Sequence, residues 1–361
     1  LYWKKRFELA LEGEATDRPP AVIPTKSATL ELMKASRSHW PMALKDPRLM
    51  AKLAMAPHAF AGIESVSLPF DKWVEPEAMG LKVHNWSRSK LPEAAPLIDN
   101  FEDFDKIKMP DPRRDGRMRA VTEAVKLLSK KVGDRLPIIA SIDSPFEIVS
   151  SLWNPNTLIN YVEYWKEPLH HLLSISTLVA ASYAEELVKA GATAILIDDG
   201  TSQNLFGAEM QLEYQFDGVE PEYYLDYSAR YVKKLVAGLD SPTILHVCGD
   251  TKVVLDHMAE VGADGLSIDQ VDVAEAKRLV GDKCSIIGNV SVYELNSSSP
   301  EEVSRKARVC LEQAVDILAP GCNLIPSTPT ENLKALARAP IEWNTEELKS
   351  YERPWRRPMN A

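Results

Sequence analysis

The chain has 361 residues, of which 45% are hydrophobic and 26% charged, an ordinary globular balance with room for one barrel or two smaller domains. A formal charge of −10 argues against a general affinity for nucleic acid, which needs a basic surface. Four cysteines are too few to staple a chain of this length, so a reducing compartment is expected.

Residues 1–13 open the chain as an amphipathic helix, with Trp3, Phe7, Leu9 and Leu11 set among charges. No apolar leader segment precedes it, and a cytoplasmic location is expected. Short apolar runs then recur at 21–25, 63–68, 137–142, 192–197, 243–248, 265–269, 284–289 and 317–320. Runs that are apolar at nearly every position suit parallel strands covered by helices. Helical patterns lie between them, as at 163–190, 220–238 and 300–315. The most apolar long stretch, 169–188, holds His170, His171, Glu185 and Glu186, which suits a buried barrel helix and not a membrane span.

Eight such strands alternating with helices predict an α/β fold of the (β/α)8 TIM-barrel type. An open doubly wound sheet would want a glycine-rich phosphate loop after its first strand, and neither GxGxxG nor a P-loop is present. The whole chain, 1–361, reads as one domain. An insertion at 69–136, between the second and third strands, carries Trp73, Glu77, Met79, His84 and Trp86 and then Pro110 and Pro112. A short hairpin and small helices capping the barrel mouth are expected there, with Trp73 and Trp86 either a docking surface or packed inside the cap.

The segment Leu245-His246-Val247-Cys248-Gly249 carries the sharpest chemical signal. Side chains alternate along a strand, so His246 and Cys248 share a face, with Cα atoms roughly 6–7 Å apart. They fall at the C-terminal end of the predicted fifth strand, where a barrel builds its active site. Cys322, in Pro320-Gly321-Cys322 after the eighth strand, opens on the same mouth. A neutral imidazole and two thiolates form a soft set that suits zinc, with one position left for an exchangeable ligand. The competing reading is plain core packing, which is assigned to Cys284 and Cys310.

Acidic and amide groups gather at the same rim. Asp143 ends the third strand, Asp198 and Asp199 the fourth, Asp269 the sixth and Asn289 the seventh. Some could simply cap the following helices. Several carboxylates at one rim are costly unless they meet a metal, a substrate or hydrogen bonds. Asp198 and Asp269 are candidates for proton transfer or acceptor orientation, Asp143 and Asn289 for contacts to a bound cofactor. Farther on, Thr328-Pro329-Thr330-Glu331 reads as a helix start, with Thr328 as cap and free N–H groups for an anion.

These residues also carry a resemblance. Ala10-Leu11-Glu12-Gly13, Asp17-Arg18-Pro19, Glu77-Ala78-Met79-Gly80, Pro110-Asp111-Pro112 and Asp115-Gly116-Arg117-Met118 belong to it. So do Ser144-Pro145-Phe146, His246-Val247-Cys248-Gly249, Gly262-Ala263-Asp264-Gly265, Gly288-Asn289-Val290 and Ala319-Pro320-Gly321-Cys322. Nearly end to end, the chain resembles the uroporphyrinogen decarboxylase superfamily and, within it, the methylcobamide:coenzyme M methyltransferases. The resemblance implies a TIM barrel whose zinc ligands are His246, Cys248 and Cys322, with the acidic residue at Asp269 filling the fourth position before a thiol arrives. Relatives carry Glu there and a second Gly at Asn323, and 198–214 also departs, which leaves an acceptor other than coenzyme M open.

The implied reaction moves a methyl group from methylcobalamin, held by a separate corrinoid protein, to a small-molecule thiol. No membrane or nucleic-acid partner is expected, and a homodimer is the candidate assembly. Two alternatives remain: a metal-free decarboxylase of a tetrapyrrole acid, which would want several arginines at the mouth, and a corrinoid- or metal-binding partner without catalysis.

Overall fold

The computed structural model describes residues 1–205 and 221–343. Seven parallel strands run in sequential order: β1 (Val66–Leu68), β2 (Ile138–Asp143), β3 (Ala194–Asp198), β4 (Thr243–His246), β5 (Gly265–Ser267), β6 (Ser285–Val290) and β7 (Ile317–Pro320). Helices follow the strands, as the alternation of patterns predicts.

The predicted first strand, 21–25, survives as a single parallel bridge between Ala21 and Leu318, and this bridge closes the barrel. Val22 N–H donates to the Leu318 carbonyl at 2.9 Å, and Glu64 N–H donates to the Ala21 carbonyl at 2.8 Å. The reason for the shortening is chemical: Pro19, Pro20 and Pro24 have no N–H to give a ladder. Side chains replace it, since Ser65 Oγ accepts from Ile23 N–H at 3.2 Å and Ser67 Oγ donates to the Ile23 carbonyl at 2.5 Å.

Two apolar layers follow from the period of two. Val22, Ile139, Ala194, Leu196, Ile244, Ile287, Ile317 and Ala319 form the inner layer. Ala140, Ile142, Ile195, Ile197 and Leu245 point to the other face and pack in the larger cluster with the helices. The N-terminal helix Trp3–Leu11 adds Phe7, Ala10 and Leu11 to the inner layer. A Cβ on Gly265 would lie 2.8 Å from Leu11 Cδ1, so a side chain there would push against this plug. Counting outward from the inner layer, Asp198 and His246 are the next inward positions on β3 and β4, and on β2 Asp143 follows Ser141 on the same face.

The segment between β1 and β2 contains the helix Val74–Ala78, a two-stranded antiparallel ribbon pairing Val83 with Ala94, the 3-10 helix Phe101–Lys106 and the helix Met118–Val132. Trp73 and Trp86 are not presented outward. Both are partly buried against the core, Trp73 Nε1–H donates to the Pro92 carbonyl at 2.8 Å, and Lys45 Nζ stands 3.6 Å above the Trp86 ring.

The helix after β7 starts one residue later than its sequence suggests, at Thr330–Glu342, with Pro329 at the cap. Thr328 does not cap it, and its hydroxyl is buried without a partner. Glu31 supplies the cap instead, accepting from Thr330 N–H at 2.7 Å, so that N–H is not offered to an anion. Among the described residues no helix is long and apolar enough to cross a membrane.

Candidate metal centre

β4 ends at His246, and the chain turns at Gly249, whose φ of +78° favours glycine. A Cβ there would also meet Gln203 Oε1 at 2.5 Å. Asp269 fastens the turn, since its Oδ2 accepts from Gly249 N–H at 3.0 Å. On the other side Gly321 passes so close to Asp269 that a Cβ would lie 2.6 Å from Oδ1. Thr25 Oγ1 holds the next residue by donating to the Cys322 carbonyl at 3.2 Å. These close approaches bring Cys248 and Cys322, 74 positions apart, to one point.

Cys248 Sγ lies 3.0 Å from Cys322 Sγ and 3.3 Å from His246 Nε2. The three ligand atoms lie within 4.8 Å of one another, and the cluster contains no fourth residue among those described. The sulfurs are too far apart for a disulfide, whose length is about 2.05 Å. Tetrahedral zinc with bonds of about 2.3 Å to sulfur and 2.0 Å to nitrogen would set S···S near ~3.8 Å and S···N near ~3.5 Å. Side chains opening by under an ångström would admit the ion. The imidazole is already aimed: Nδ1 stands 3.1 Å from the Ser267 carbonyl, which fixes the proton on Nδ1 and turns the Nε2 lone pair to the sulfurs.

Without metal the cluster stores its protons unevenly. The Cys248 thiol donates to Cys322, which, with His246 beside it, brings Cys322 down to about 5, whereas Cys248 is pushed up. Burial disfavours a charged His246, but the Cys322 thiolate and Asp198 outweigh it and raise the ring to about 9. A thiolate beside an imidazolium is already a ligand set that gives up two protons to a dication.

A buried charge cluster lies next to it, and its cation is absent from the sequence reading. Lys26 Nζ donates to Asp143 Oδ1 and stands 3.2 Å from Asp198 Oδ2. Burial opposes the charge on Lys26, yet Asp143, Asp198 and Glu75 hold its pKa well above the ordinary lysine value. Burial also opposes ionisation of Asp198, but Lys26 and His246 bring its carboxyl below the usual range. Burial pushes Asp143 well up and Glu75 to about 7, so Asp198 is the carboxylate that the single ammonium keeps ionised.

A cavity of about 270 Å³ reaches this cluster. Asp198, Glu147, Lys72, Gly200 and Cys248 line its polar side, and Trp40, Phe70 and Leu324 its apolar side. Lys72 Nζ stands 3.2 Å from Glu147 Oε1, while Glu147 Oε2 accepts from Thr201 N–H at 2.7 Å.

The sequence candidates therefore fall into two groups. His246, Cys248, Cys322, Asp143 and Asp198 come together. Asp269 and Asn289 serve the backbone beside them. Asn289 Nδ2 donates to the Asp269 and Val271 carbonyls at 3.0 and 2.5 Å, which leaves no amide donor for a cofactor. Asp199 is fully buried; it accepts from the Ser144 and Ser228 hydroxyls, and burial raises it to about 7. Cys310 is buried and Cys284 half-buried, away from the cluster. Of the divergent segment 198–214, residues 206–214 lie outside the described residues.

A parallel barrel with a Cys2His cluster at the C-terminal rim of its strands defines a class of α/β enzyme. The chain belongs to the uroporphyrinogen decarboxylase (URO-D) family, whose model matches residues 3–343. It is 34% identical over 346 residues to the methylcobamide:CoM methyltransferase MtaA of Methanosarcina barkeri, covering 94% of this chain and 98% of that one. It is also 34% identical to MtbA of Methanosarcina acetivorans, covering 92% and 96%. A solved methyltransferase from Methanosarcina mazei superposes with a TM-score of 0.87 at 30% identity, covering 97% and 99%. The chain is a methyltransferase.

Proposed function

We propose that this chain moves a methyl group from a methylated corrinoid, carried by a separate protein, to a thiol such as coenzyme M, at a zinc ion held by His246, Cys248 and Cys322. The observation that carries the reading is the convergence of those three soft ligand atoms at the edge of a cavity. Coenzyme M and a methylated cobamide are the substrates in the names of the methyltransferases it is similar to.

In the net reaction a sulfur–methyl bond forms, the cobalt–carbon bond breaks with its electron pair left on cobalt, and the thiol loses a proton. Bound zinc supplies Lewis acidity, which lets a thiol of free pKa ~8.5 become a thiolate at neutral pH. Among the chain's own groups, Asp198 is the proton acceptor we favour over Asp269. Asp198 lines the cavity and is kept ionised by Lys26, whereas Asp269 Oδ2 is spent on Gly249 N–H. Trp40, Phe70 and Leu324 wall the cavity with apolar surface and limit water near the sulfur. The corrinoid protein would dock over the mouth, against the insertion 69–136 of a single barrel domain.

The decarboxylase alternative wants arginines for carboxylates, and among the described residues the cavity lining holds Asp71, Glu147 and Asp198 but no arginine. The test is methyl transfer from methylcobalamin to 2-mercaptoethanesulfonate, followed by the loss of the cobalt–methyl absorbance and by metal analysis of the same sample. Transfer with about one zinc per chain supports the reading. No transfer to any thiol from zinc-loaded protein overturns it.

A further inference from the structure

Cys248 is the one member of the Cys2His cluster that lines the cavity, so an acceptor entering from the cavity reaches the cluster past Cys248. The residue facing it is Gly200, which opens the 3-10 helix Gly200–Leu205 directly after β3. A Cβ on Gly200 would stand 3.3 Å from Cys248 Sγ, 3.4 Å from Asp198 Oδ1 and 3.8 Å from Glu147 Oε2. A sulfur and two carboxylate oxygens thus border one space the size of a methyl group. Only a hydrogen at position 200 leaves that space open.

The glycine is not there for its backbone. Gly200 lies outside the left-handed region, unlike Gly249 at φ +78°. Nor can the segment retreat to make room, because Thr201 is held twice. Its N–H donates to Glu147 Oε2 at 2.7 Å, and its hydroxyl pairs with Ser150 Oγ at 2.7 Å. A second sulfur sharing an ion with Cys248 would sit about 3.8 Å from Cys248 Sγ. A methyl group 3.3 Å from that same atom intrudes on the volume that such a sulfur and its first carbon need.

We propose that Gly200 is a specificity-determining residue: its missing side chain is the seat of the acceptor thiol, between Cys248 and the Asp198 and Glu147 carboxylates. The proposal rests on the thiol-acceptor reading above. The seat governs acceptor binding and leaves the ligands of the metal untouched.

The test compares wild type with Gly200→Ala and Gly200→Val. Alanine is compatible with the backbone here, so the variant keeps its fold. Two quantities are read: metal content, and thiol affinity from the sulfur-to-metal charge-transfer band of the cobalt(II)-substituted protein titrated with 2-mercaptoethanesulfonate and with 2-mercaptoethanol. Gly200→Ala should bind both thiols at least tenfold more weakly and raise their KM equally, with metal stoichiometry and the KM for methylcobalamin unchanged. Gly200→Val should abolish thiol binding. Unchanged thiol affinity in both variants overturns the assignment of Gly200 while leaving the thiol-acceptor reading standing, and so does loss of metal in step with loss of binding. Wild-type protein that binds no thiol overturns the reading itself.

Discussion

The Nδ1 of His246 lies 3.1 Å from the carbonyl oxygen of Ser267, and this contact decides which nitrogen is left for the metal. Ser267 ends β5 and His246 ends β4, paired in register, so the orientation of the ring is set by the sheet itself. A ligand aimed by backbone does not depend on a mobile loop, so the ring should keep its orientation when the metal leaves.

The first prediction concerns that metal-free state. Two sulfurs 3.0 Å apart, one of them a thiolate, are poised to oxidise. Stripping the metal with a chelator in air should join Cys248 to Cys322 and leave two of the four cysteines reactive to a thiol reagent added in denaturant. Far-UV circular dichroism should not change, because the apolar layers of the barrel contain none of the ligands. Four reactive thiols after chelation in air would count against it.

A second prediction concerns Lys26. Removing one partner of a buried ion pair typically costs about 3–5 kcal/mol, since the remaining charge is stranded. Lys26→Met should lower stability to urea by an amount of that order. The double variant Lys26→Met with Asp198→Asn should recover much of it, because the carboxylate that the ammonium keeps ionised is gone. Equal losses in the single and double variants would contradict the pairing.

Asp199 gives a third prediction. Burial raises it to about 7 from an unfolded value near ~3.9. The folded state therefore binds the proton more tightly between those values, and stability falls as pH rises from about 4 to about 7, then levels. Asparagine cannot titrate but can still hydrogen-bond the Ser144 and Ser228 hydroxyls. Asp199→Asn should show a shallower decline of stability over that window in denaturation curves taken at several pH values. Parallel curves for variant and wild type would rule out this titration.

Asp269 supplies a fourth. It lies outside the ligand cluster and accepts from Gly249 N–H, a bond that an amide oxygen can also accept. Asp269→Asn should keep its zinc, whereas Asp269→Ala should lose zinc affinity as the Gly249 turn loosens. Loss of zinc in the asparagine variant would make Asp269 a ligand.

The period of two along a strand made much of this legible before any coordinates. It placed His246 and Cys248 on one face and set Asp143 and Asp198 at the rim, and all seven strands, β1 to β7, overlap the runs that predict them. Lys26 was hidden because it follows Pro24 in a segment with no ladder, where a lysine reads as solvated loop. Its only signal was position: it follows a strand-like run at the end of the barrel that carries chemistry. Glu147 sits in the first turn of its helix, where Ser144 Oγ accepts from its N–H at 3.0 Å. Its second task, facing Gly200, needs the third dimension. The helix start at Thr330 was misplaced because its capping carboxylate, Glu31, lies 299 residues away.

The central claim is that His246, Cys248 and Cys322 hold one zinc ion with a position open to a thiol. The most direct measurement is the metal content of purified wild type, Cys248→Ala and Cys322→Ala, each checked for fold by circular dichroism. The account predicts about one zinc per chain in the wild type and almost none in either folded variant. Full zinc occupancy in both variants would contradict it.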